Sequence, residues 1–463
     1  MATKKSRSVA AEQARAQVGD KRRSARAGLV AGAVMERPAA PLPQAMGGEA
    51  ALEGAYRLLN NRRVTPDALL APHVAGTAER VIAAGGAFCI SDTTELRFGG
   101  EARTGLGPLQ GGGRGFLAHI SLAVARDGSR LPFGVLGLET IIRPEQPKKR
   151  RGTRKSRTAA DSESLKWSRG AIAAEEAVGG AAPLIHLMDR EADIYTLFAM
   201  FIERGSRFVV RLAQDRLVTS DDAVAIRLFD ALEPRNEAVV RDVPISLRKT
   251  GSKQHPSRDA RLARLSIAAQ TLSLHRPVHA AKVGPETLPL NFVHVFEPAP
   301  PDGCAPIDWK LVTSEPIDSP RAIEVIVDAY RTRWVIEDFN KALKTGCAFE
   351  KRELESAFAL LNLFAIILPV AVQLLALRSL ASANKQALAS LIFSPTQLAA
   401  LRSASRVPLP LNPTAEQALL AVASLGGHLK NNGAPGWQVL YRGMQDLLLL
   451  AVGRADAEAE AEM

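Results

Sequence analysis

The stretch RAIEVIVDAYRTRWVIEDFNKALK, residues 321–344, decides the fold and carries much of the chemistry of this chain. Apolar residues recur in its first half at intervals of three and four, which predicts one buried face of an α-helix. That face comprises Ile323, Ile326, Val327, Tyr330 and Trp334. The stretch is therefore expected to be a helix whose first half is anchored in a hydrophobic core.

The same helical face becomes charged in its second half, where Glu337, Lys341 and Lys344 continue the spacing and Arg333 precedes Glu337 by one turn. Neighbouring cations keep a carboxylate ionised, and Lys and Arg also bind phosphate groups. A carboxylate for a metal beside cations for a phosphate backbone suits phosphodiester chemistry. The alternative is an ordinary amphipathic helix with ion pairs from Arg333 to Glu337 and from Glu337 to Lys341.

Composition favours a globular protein with an anionic partner. The 463 residues leave room for about three domains, and 46% apolar with 23% charged residues can fill a core. A net charge of +11 and a pI near 9.8 point to nucleic acid. A membrane surface is less favoured, because no basic amphipathic anchor is present.

Three scattered cysteines favour a reducing cytoplasm, and the basic N-terminus lacks the apolar segment of a signal peptide. The apolar segment from Phe358 to Leu377 is long enough to raise the question of a membrane span. It contains Asn362, Pro369 and Gln373, so a buried helix of a soluble core is the preferred interpretation.

Two further carboxylates follow predicted buried strands. A strand over residues 87–90 runs into Asp92, and a strand from Pro183 to Met188 runs into Asp189. A hairpin around Asp127-Gly128 lies between them, with strands over 116–125 and 131–142. Each Asp has a simpler interpretation, since Asp92 could be a turn residue and Asp189 a helix N-cap.

The order strand-Asp, hairpin, strand-Asp and helix-borne Glu is typical of an RNase H-like nucleotidyl-transfer core. Its three carboxylates, Asp92, Asp189 and Glu337, can hold two divalent cations. Hard oxygen ligands without a His/Cys cluster favour Mg²⁺, with Mn²⁺ as a substitute, over zinc. His119, on the hairpin, is expected to be packed or hydrogen-bonded rather than a ligand.

Basic residues cluster in two other places. Lys21, Arg22 and Arg23, and later Asn61, Arg62 and Arg63, lie in an N-terminal helical region and are expected to contact DNA. A solvated charged tail remains the alternative for the first 20 residues. The run from Lys148 to Arg157 predicts a phosphate-binding arm whose role is open. The glycine-rich run 105–115 lacks the Lys-Ser/Thr of a phosphate loop, so no nucleotide cofactor is expected.

The predicted fold class is α/β: an RNase H-like catalytic core with an all-β insertion, an N-terminal helical DNA-binding domain and a C-terminal helical dimerisation region. The expected boundaries are residues 1–75 for DNA recognition, 76–213 and 307–380 for the two parts of the core, 214–306 for the β-rich insertion and 381–463 for the C-terminal region.

Motifs along nearly the whole chain resemble the insertion-sequence-four family of bacterial DDE transposases, which includes the transposon-five transposase. The spacing of Tyr330, Arg333, Glu337 and Lys344 matches its Tyr-Arg-Glu-Lys signature. Asp92-Thr93-Thr94 and Asp189-Arg190-Glu191-Ala192-Asp193 resemble its two aspartate motifs. The N-terminal segments at 19–23 and 56–67, residues 313–316 and Gly436-Trp437 fit as well.

This resemblance implies that Asp92, Asp189 and Glu337 are catalytic metal ligands. It implies DNA-backbone contacts near the cleaved end for Tyr330, Arg333 and Lys344, with Lys341 and Arg211 assisting, and base stacking for Trp309. The implied partners are transposon-end inverted repeats and target DNA, bound by a homodimer without any membrane. The resemblance also implies a location in the bacterial cytoplasm, in association with the nucleoid.

The implied reaction is cut-and-paste transposition through a hairpin intermediate. A catalytically inactive transposon-end-binding protein or inhibitor is the main alternative, and a nuclease acting on RNA:DNA hybrids is the third.

Overall fold

The structure is a computed structural model that describes most of the chain. The described residues are 9–38, 40–100, 103–145, 163–220, 224–232, 238–245, 259–278, 280, 284–383, 386–429, 435–436, 439–440, 442–444, 446–447 and 450–451. The predicted basic arm from Lys148 to Arg157 and Trp437 lie outside them.

The described segments form thirteen α-helices and twelve strands. The helices are α1 (Val9–Gln13), α2 (Lys21–Glu36), α3 (Leu42–Met46), α4 (Glu49–Leu59), α5 (Pro66–Ala83), α6 (Lys166–Val178), α7 (Tyr195–Arg204), α8 (Leu228–Ala231), α9 (Pro320–Thr332), α10 (Val335–Lys341), α11 (Ala357–Ala383), α12 (Pro395–Ala404) and α13 (Ala415–Leu425). The strands are β1 (Ala87–Phe98), β2 (Gly107–Pro108), β3 (Arg114–Val124), β4 (Pro132–Ile141), β5 (Leu184–Met188), β6 (Arg207–Arg211), β7 (Leu217–Thr219), β8 (Ala225–Arg227), β9 (Val239–Ile245), β10 (Arg261–His275), β11 (Thr287–Phe296) and β12 (Asp308–Thr313).

All twelve described strands belong to one mixed sheet in the order β2-β3-β1-β5-β6-β12-β11-β10-β7-β8, with β4 paired to β3 and β9 paired to β10. The neighbours β1, β5 and β6 run parallel, and the other pairs are antiparallel. Helices cover both faces. The protein is thus a mixed α/β protein with a large sheet.

Alternation along β1 assigns its two faces. Phe88, Ile90 and Leu96 belong to the core that includes α9, α10 and α11, whereas Ala87 and Cys89 pack with α5 and α6. Asp92 therefore shares the β1 face that is directed at α9–α11.

The prediction that the strand before Asp92 ends near Ile90 is wrong. β1 continues to Phe98, because its second half pairs with β3 in register from Asp92↔Ile120 to Phe98↔Arg114. Only residues 87–90 pair with β5. Asp92 consequently lies within a strand, but beyond the point where the parallel pairing ends.

The β-rich segment after residue 214 extends the sheet of the core. β11 pairs with β12, which in turn pairs with β6. A separate core cluster between this part of the sheet and α7 contains Phe198, Phe208 and Phe292. The strands β9, β10 and β11 lie within residues 214–306, which were predicted to be rich in β-structure. The boundaries of this segment remain a prediction.

Helix α11 is the apolar centre of the helical layer and packs against α2, α4, α5, α10 and α13. Within the described chain, the stretch Ala357–Leu380 of this helix is long and apolar enough to cross a membrane. It is mostly buried inside the protein. This burial agrees with the predicted core helix. The N-terminal helices thereby join the main core of the protein, since Val30, Leu59 and Leu363 belong to the same buried cluster.

Candidate functional site

Asp92 and Asp189 occupy equivalent positions relative to the parallel pairing of β1 with β5. This pairing ends at Ile90 in β1 and at Leu187 in β5, and each Asp follows two residues later. Asp189 also caps the 3₁₀ turn Arg190–Ala192, where its Oδ1 accepts a hydrogen bond from the Glu191 N–H at 2.9 Å. The prediction that Asp189 caps the helix that follows it is wrong, because the N-cap residue of α7 is Ile194. Asp189 caps the short 3₁₀ turn instead, which is compatible with a place in the site.

The third carboxylate, Glu337, is on α10, which packs against β1. The predicted single helix over 321–344 is divided here, because the chain tightens between α9 and α10. The N–H groups of Arg333, Ile336 and Glu337 donate to carbonyls three residues earlier, those of Tyr330, Arg333 and Trp334. Such bonds are typical of a 3₁₀ turn, and they rotate the following residues relative to an α-helix.

This turn overturns the prediction that Trp334 belongs to the buried face. Trp334 is 54% exposed, whereas Arg333 is only 9% exposed and Ile336 is fully buried. Beyond Lys341, the chain winds into a π-helix at Ala342–Gly346 that carries the half-buried Lys344. The buried face of the two helices therefore contains Tyr330, Arg333 and Ile336.

The three carboxylates form one electrostatic cluster. Burial raises the pKa of Asp92 to about 7, and the negative charges of Asp189 and Glu337 add to this rise while Arg333 opposes it. Burial alone would lower the pKa of Arg333, but Tyr330 and the three carboxylates outweigh it, so that pKa is raised. Arg333 Nη2 lies 3.6 Å from Glu337 Oε1. One buried guanidinium thus faces three carboxylates.

The donor chemistry of this cluster fits a hard divalent cation, because all three groups are carboxylates that repel one another. Two buried polar atoms beside them, Arg333 Nη1 and Asn340 Oδ1, have no hydrogen-bond partner in the described part of the protein. Among the described residues, however, no three His, Cys, Asp or Glu side chains are arranged to hold one ion together. The carboxylates are electrostatically coupled in an open arrangement.

We expect Asp92→Asn to stabilise the metal-free protein. An unfolded chain releases the Asp proton near pH 4, whereas the folded protein keeps it to about pH 7. Between about pH 4 and pH 7 the folded state therefore binds one more proton than the unfolded state. The free energy of unfolding falls as pH rises through this range, and the destabilisation caused by the Asp92 charge is complete above about pH 7. Melting temperatures in EDTA should exceed wild type by roughly 2–4 °C at pH 8, with little difference at pH 4. An equal melting temperature at pH 8 would contradict the coupling.

Aromatic and cationic groups line one side of the carboxylates. Trp309 and Tyr330 meet edge to face with centroids 6.1 Å apart, and the Arg333 guanidinium lies 6.0 Å from the Tyr330 ring centroid. Burial raises the pKa of Tyr330, against the effect of Arg333 and Arg211. Arg211, at the end of β6, donates from Nη2 to the Asp308 carbonyl at 3.3 Å. The structure thus brings Trp309, Tyr330, Arg333 and Arg211 together.

The two lysines of the helix are less closely associated with the carboxylates. Lys341 is exposed and pairs with Asp338 at 3.2 Å, so the anticipated Glu337–Lys341 pair is not formed.

Two motifs named in the sequence, residues 313–316 and 189–193, contain a carboxylate with structural contacts. The carboxylate of Glu315, 7% exposed, accepts two hydrogen bonds from Arg207 and so joins the end of β12 to β6. Asp193 is buried and accepts from the Ala213 and Gln214 N–H groups, both at 2.8 Å, and from Arg216 at 2.7 Å. These contacts stabilise the segment that follows Arg211.

The first N-terminal cluster divides between exposed and structural residues. Lys21 and Arg22 are exposed at the start of α2. Arg23 donates to Asp20 Oδ2 at 2.8 Å and to the Val18 carbonyl at 2.9 Å, while Asp20 caps the helix. Lys21 and Arg22 are therefore free to reach a phosphate, whereas Arg23 is committed to the helix start.

The second cluster is a loop, residues 60–63, held by α11. Asn362 is fully buried, and its Nδ2 donates to the carbonyls of Leu59 at 2.9 Å and Val64 at 3.1 Å, on either side of the loop. The Arg62 guanidinium lies 5.5 Å from the ring centroid of Phe358. Asn61 Oδ1 accepts from the Arg63 N–H at 3.0 Å, and Arg63 is exposed. The sequence singled out the loop but not its support, Asn362.

Asn362→Leu is expected to weaken sequence-specific DNA binding by about tenfold, which corresponds to about 1.4 kcal/mol. The substitution keeps the volume but leaves two loop carbonyls without their donor. Affinity should be compared on a specific end and on a random duplex, where phosphate contacts dominate and little change is expected. Gln373→Leu on the same helix is the control, and equal affinities for the end would contradict the role of Asn362.

Residues 6–64 match the family model for the transposase DNA-binding domain. The match covers α1 to α4 and the loop at 60–63, and it includes both predicted DNA-contacting clusters. It supports a transposase whose partner is DNA.

Proposed function

We propose that the protein is a cut-and-paste DNA transposase of the insertion-sequence-four type with a DDE site formed by Asp92, Asp189 and Glu337. The observation that carries the proposal is the electrostatic coupling of these three carboxylates, which come from sequence positions about 100 and 150 residues apart. The order β4-β3-β1-β5-β6, with β1, β5 and β6 parallel, supports an RNase H-like core.

Asp92, Asp189 and Glu337 would hold two Mg²⁺ ions, which activate a water or 3′-hydroxyl and stabilise the leaving oxygen when bound. Mn²⁺ should substitute. Arg333 offsets part of the negative charge of the three carboxylates. Its buried Nη1 has no hydrogen-bond partner among the described residues and would donate to a phosphate oxygen in the proposed complex. Arg211 adds a second cation beside Tyr330. These residues would position a phosphate next to the carboxylates.

Trp309, which packs edge to face against Tyr330, supplies aromatic surface near this cationic group. In the proposed reaction, the protein nicks the transposon end, and the freed 3′-hydroxyl attacks the opposite strand to form a hairpin. The hairpin is then opened and the end is joined to target DNA. Base stacking on Trp309 relieves strain when the second strand is attacked. The protein would act as a cytoplasmic homodimer on two ends, with the region after residue 380 at the dimer contact.

The test is cleavage of a labelled duplex that carries the inverted repeats flanking the gene, with Mg²⁺. We expect a nick at the repeat boundary, followed by a hairpin product. The second candidate is a transposon-end-binding protein without catalysis, which the open arrangement of the carboxylates favours. Tight binding with no cut in Mg²⁺ or Mn²⁺ would establish that candidate in place of the transposase.

Trp309→Ala should reduce hairpin formation by about tenfold to a hundredfold, because stacking of one base contributes about 1–3 kcal/mol, and should affect nicking less. The measurement is the rate of each step on a pre-nicked and an intact duplex, with Trp309→Phe as the variant that retains a stacking surface. Equal loss of both steps in Trp309→Ala would indicate that Trp309 serves packing against Tyr330 instead.

A further inference from the structure

A side chain outside the three carboxylates contacts the candidate site directly. Asn340 Nδ2 donates a hydrogen bond to Asp92 Oδ2 at 3.2 Å, across a separation of 248 residues. Asn340 follows Glu337 by three residues on α10, so both lie on the same side of the helix. One helix therefore supplies a carboxylate to the cluster and a neutral donor to a second carboxylate.

The chemistry of an amide suits this position. Asp92 is buried beside two like charges, which tend to push it away from Asp189 and Glu337. A lysine would hold Asp92 but would add a positive charge that competes with a metal ion. An asparagine amide restrains the carboxylate by a hydrogen bond and leaves its charge available to a cation.

The other amide atom is an additional observation. Asn340 Oδ1 is buried and accepts no hydrogen bond from the described residues. A buried acceptor without a donor is energetically unfavourable. Such an oxygen is a suitable acceptor for a water molecule or a suitable neutral ligand for a hard cation. The Asn340 amide thus offers two groups to the carboxylate cluster, a donor that contacts Asp92 and an acceptor without a partner among the described residues.

We propose that Asn340 is a positioning residue of the carboxylate site, which holds Asp92 in place for a divalent cation through Nδ2 and supplies Oδ1 as a neutral oxygen in the same cluster. The inference rests on the proposed function, because it assumes that the cluster binds the cation. It adds to the three carboxylates a fourth residue, which acts through Asp92 by its Nδ2 and directly by its Oδ1.

The experiment measures Mn²⁺ binding to the full chain without DNA, by the loss of the free-ion electron paramagnetic resonance signal. We expect Asn340→Ala to weaken Mn²⁺ binding by about 10–100-fold, as for other residues that orient metal ligands. Asn340→His, whose Nδ1 can donate at a similar reach, should recover most of the affinity. Thr345→Ala, at an exposed position in the π-helix, is the control.

Two further readouts separate positioning from folding. Melting temperature and end affinity in EDTA should be close to wild type in Asn340→Ala, because the fold and the DNA-binding loop do not depend on this contact. The inference would be overturned if Asn340→Ala bound Mn²⁺ with wild-type affinity. It would also be overturned if Asn340→His lost as much Mn²⁺ affinity as Asn340→Ala and both variants had a lowered melting temperature. If wild type binds no Mn²⁺ and behaves as Asp92→Asn does, the proposed function fails as well.

Discussion

Glu337→Gln is expected to lower DNA cleavage by at least about a thousandfold, or about 4 kcal/mol of transition-state stabilisation, while end binding changes by less than about twofold. Glutamine keeps the size and helix preference of glutamate but removes one of three coupled charges. Arg333 would lose the partner at 3.6 Å, and the pKa of Asp92 would fall because one of its repelling neighbours is gone. The measurements are single-turnover nicking in Mg²⁺ and a binding isotherm on the labelled end.

The matched control for this substitution is Asp338→Asn, one residue further along α10. Asp338 pairs with Lys341 on the exposed side of the helix and does not contribute to the raised pKa of Asp92. Cleavage by Asp338→Asn should be within a few-fold of wild type. Loss of cleavage in Asp338→Asn with retention in Glu337→Gln would show that the wrong carboxylate has been assigned to the site.

Asp193→Ala is expected to destabilise the protein by about 3–5 kcal/mol, because it leaves the charge of a buried partner uncompensated. Asp193 is 1% exposed and Arg216 is 7% exposed. The substitution also removes the acceptor of the Ala213 and Gln214 N–H groups. A denaturant titration should show the loss as a lower midpoint, and Asp193→Ala combined with Arg216→Met should recover part of it.

Asp189 provides the contrast within the same short motif. Asp189→Asn keeps an N-cap side chain that can still accept from the Glu191 N–H, so its unfolding midpoint should be near that of wild type, whereas cleavage should be lost. The two aspartates would then separate into one that serves chemistry and one that serves the fold. Similar midpoints for Asp193→Ala and Asp189→Asn would disprove this separation.

Local sequence pattern predicted the elements that carry the candidate site. The strand before Asp189 was predicted closely, since β5 begins one residue later than expected and ends at the expected Met188. Short apolar runs bounded by polar residues specify such strands, because the alternation depends on neighbours in the sequence. The same reasoning located Asp92, Asp189 and Glu337, since each follows or interrupts an apolar run.

The sequence could not predict contacts between distant segments. Asn340 and Asp92 are 248 residues apart, and Asn362 is 303 residues from Leu59. Periodicity assigns a side chain to a face of its own element but does not indicate which element lies opposite. Asn340 had one available signal, its helical spacing from Glu337, whereas Asn362 appeared only as a polar residue in an apolar helix.

By itself, the sequence indicated a mixed α/β protein, many of its strands and helices and the basic character of the chain, because these depend on local composition and spacing. It also singled out Asp92, Asp189 and Glu337 as candidates, whose metal-binding role stays a prediction. Only the tertiary structure decided that a 3₁₀ turn buries Arg333 and exposes Trp334, and that Asp193 is a buried structural partner of Arg216. These features depend on how α9 and α10 pack against the sheet and on which charges are buried together. The interactions that stabilise them join residues that are far apart in the sequence, so local composition and spacing do not reveal them.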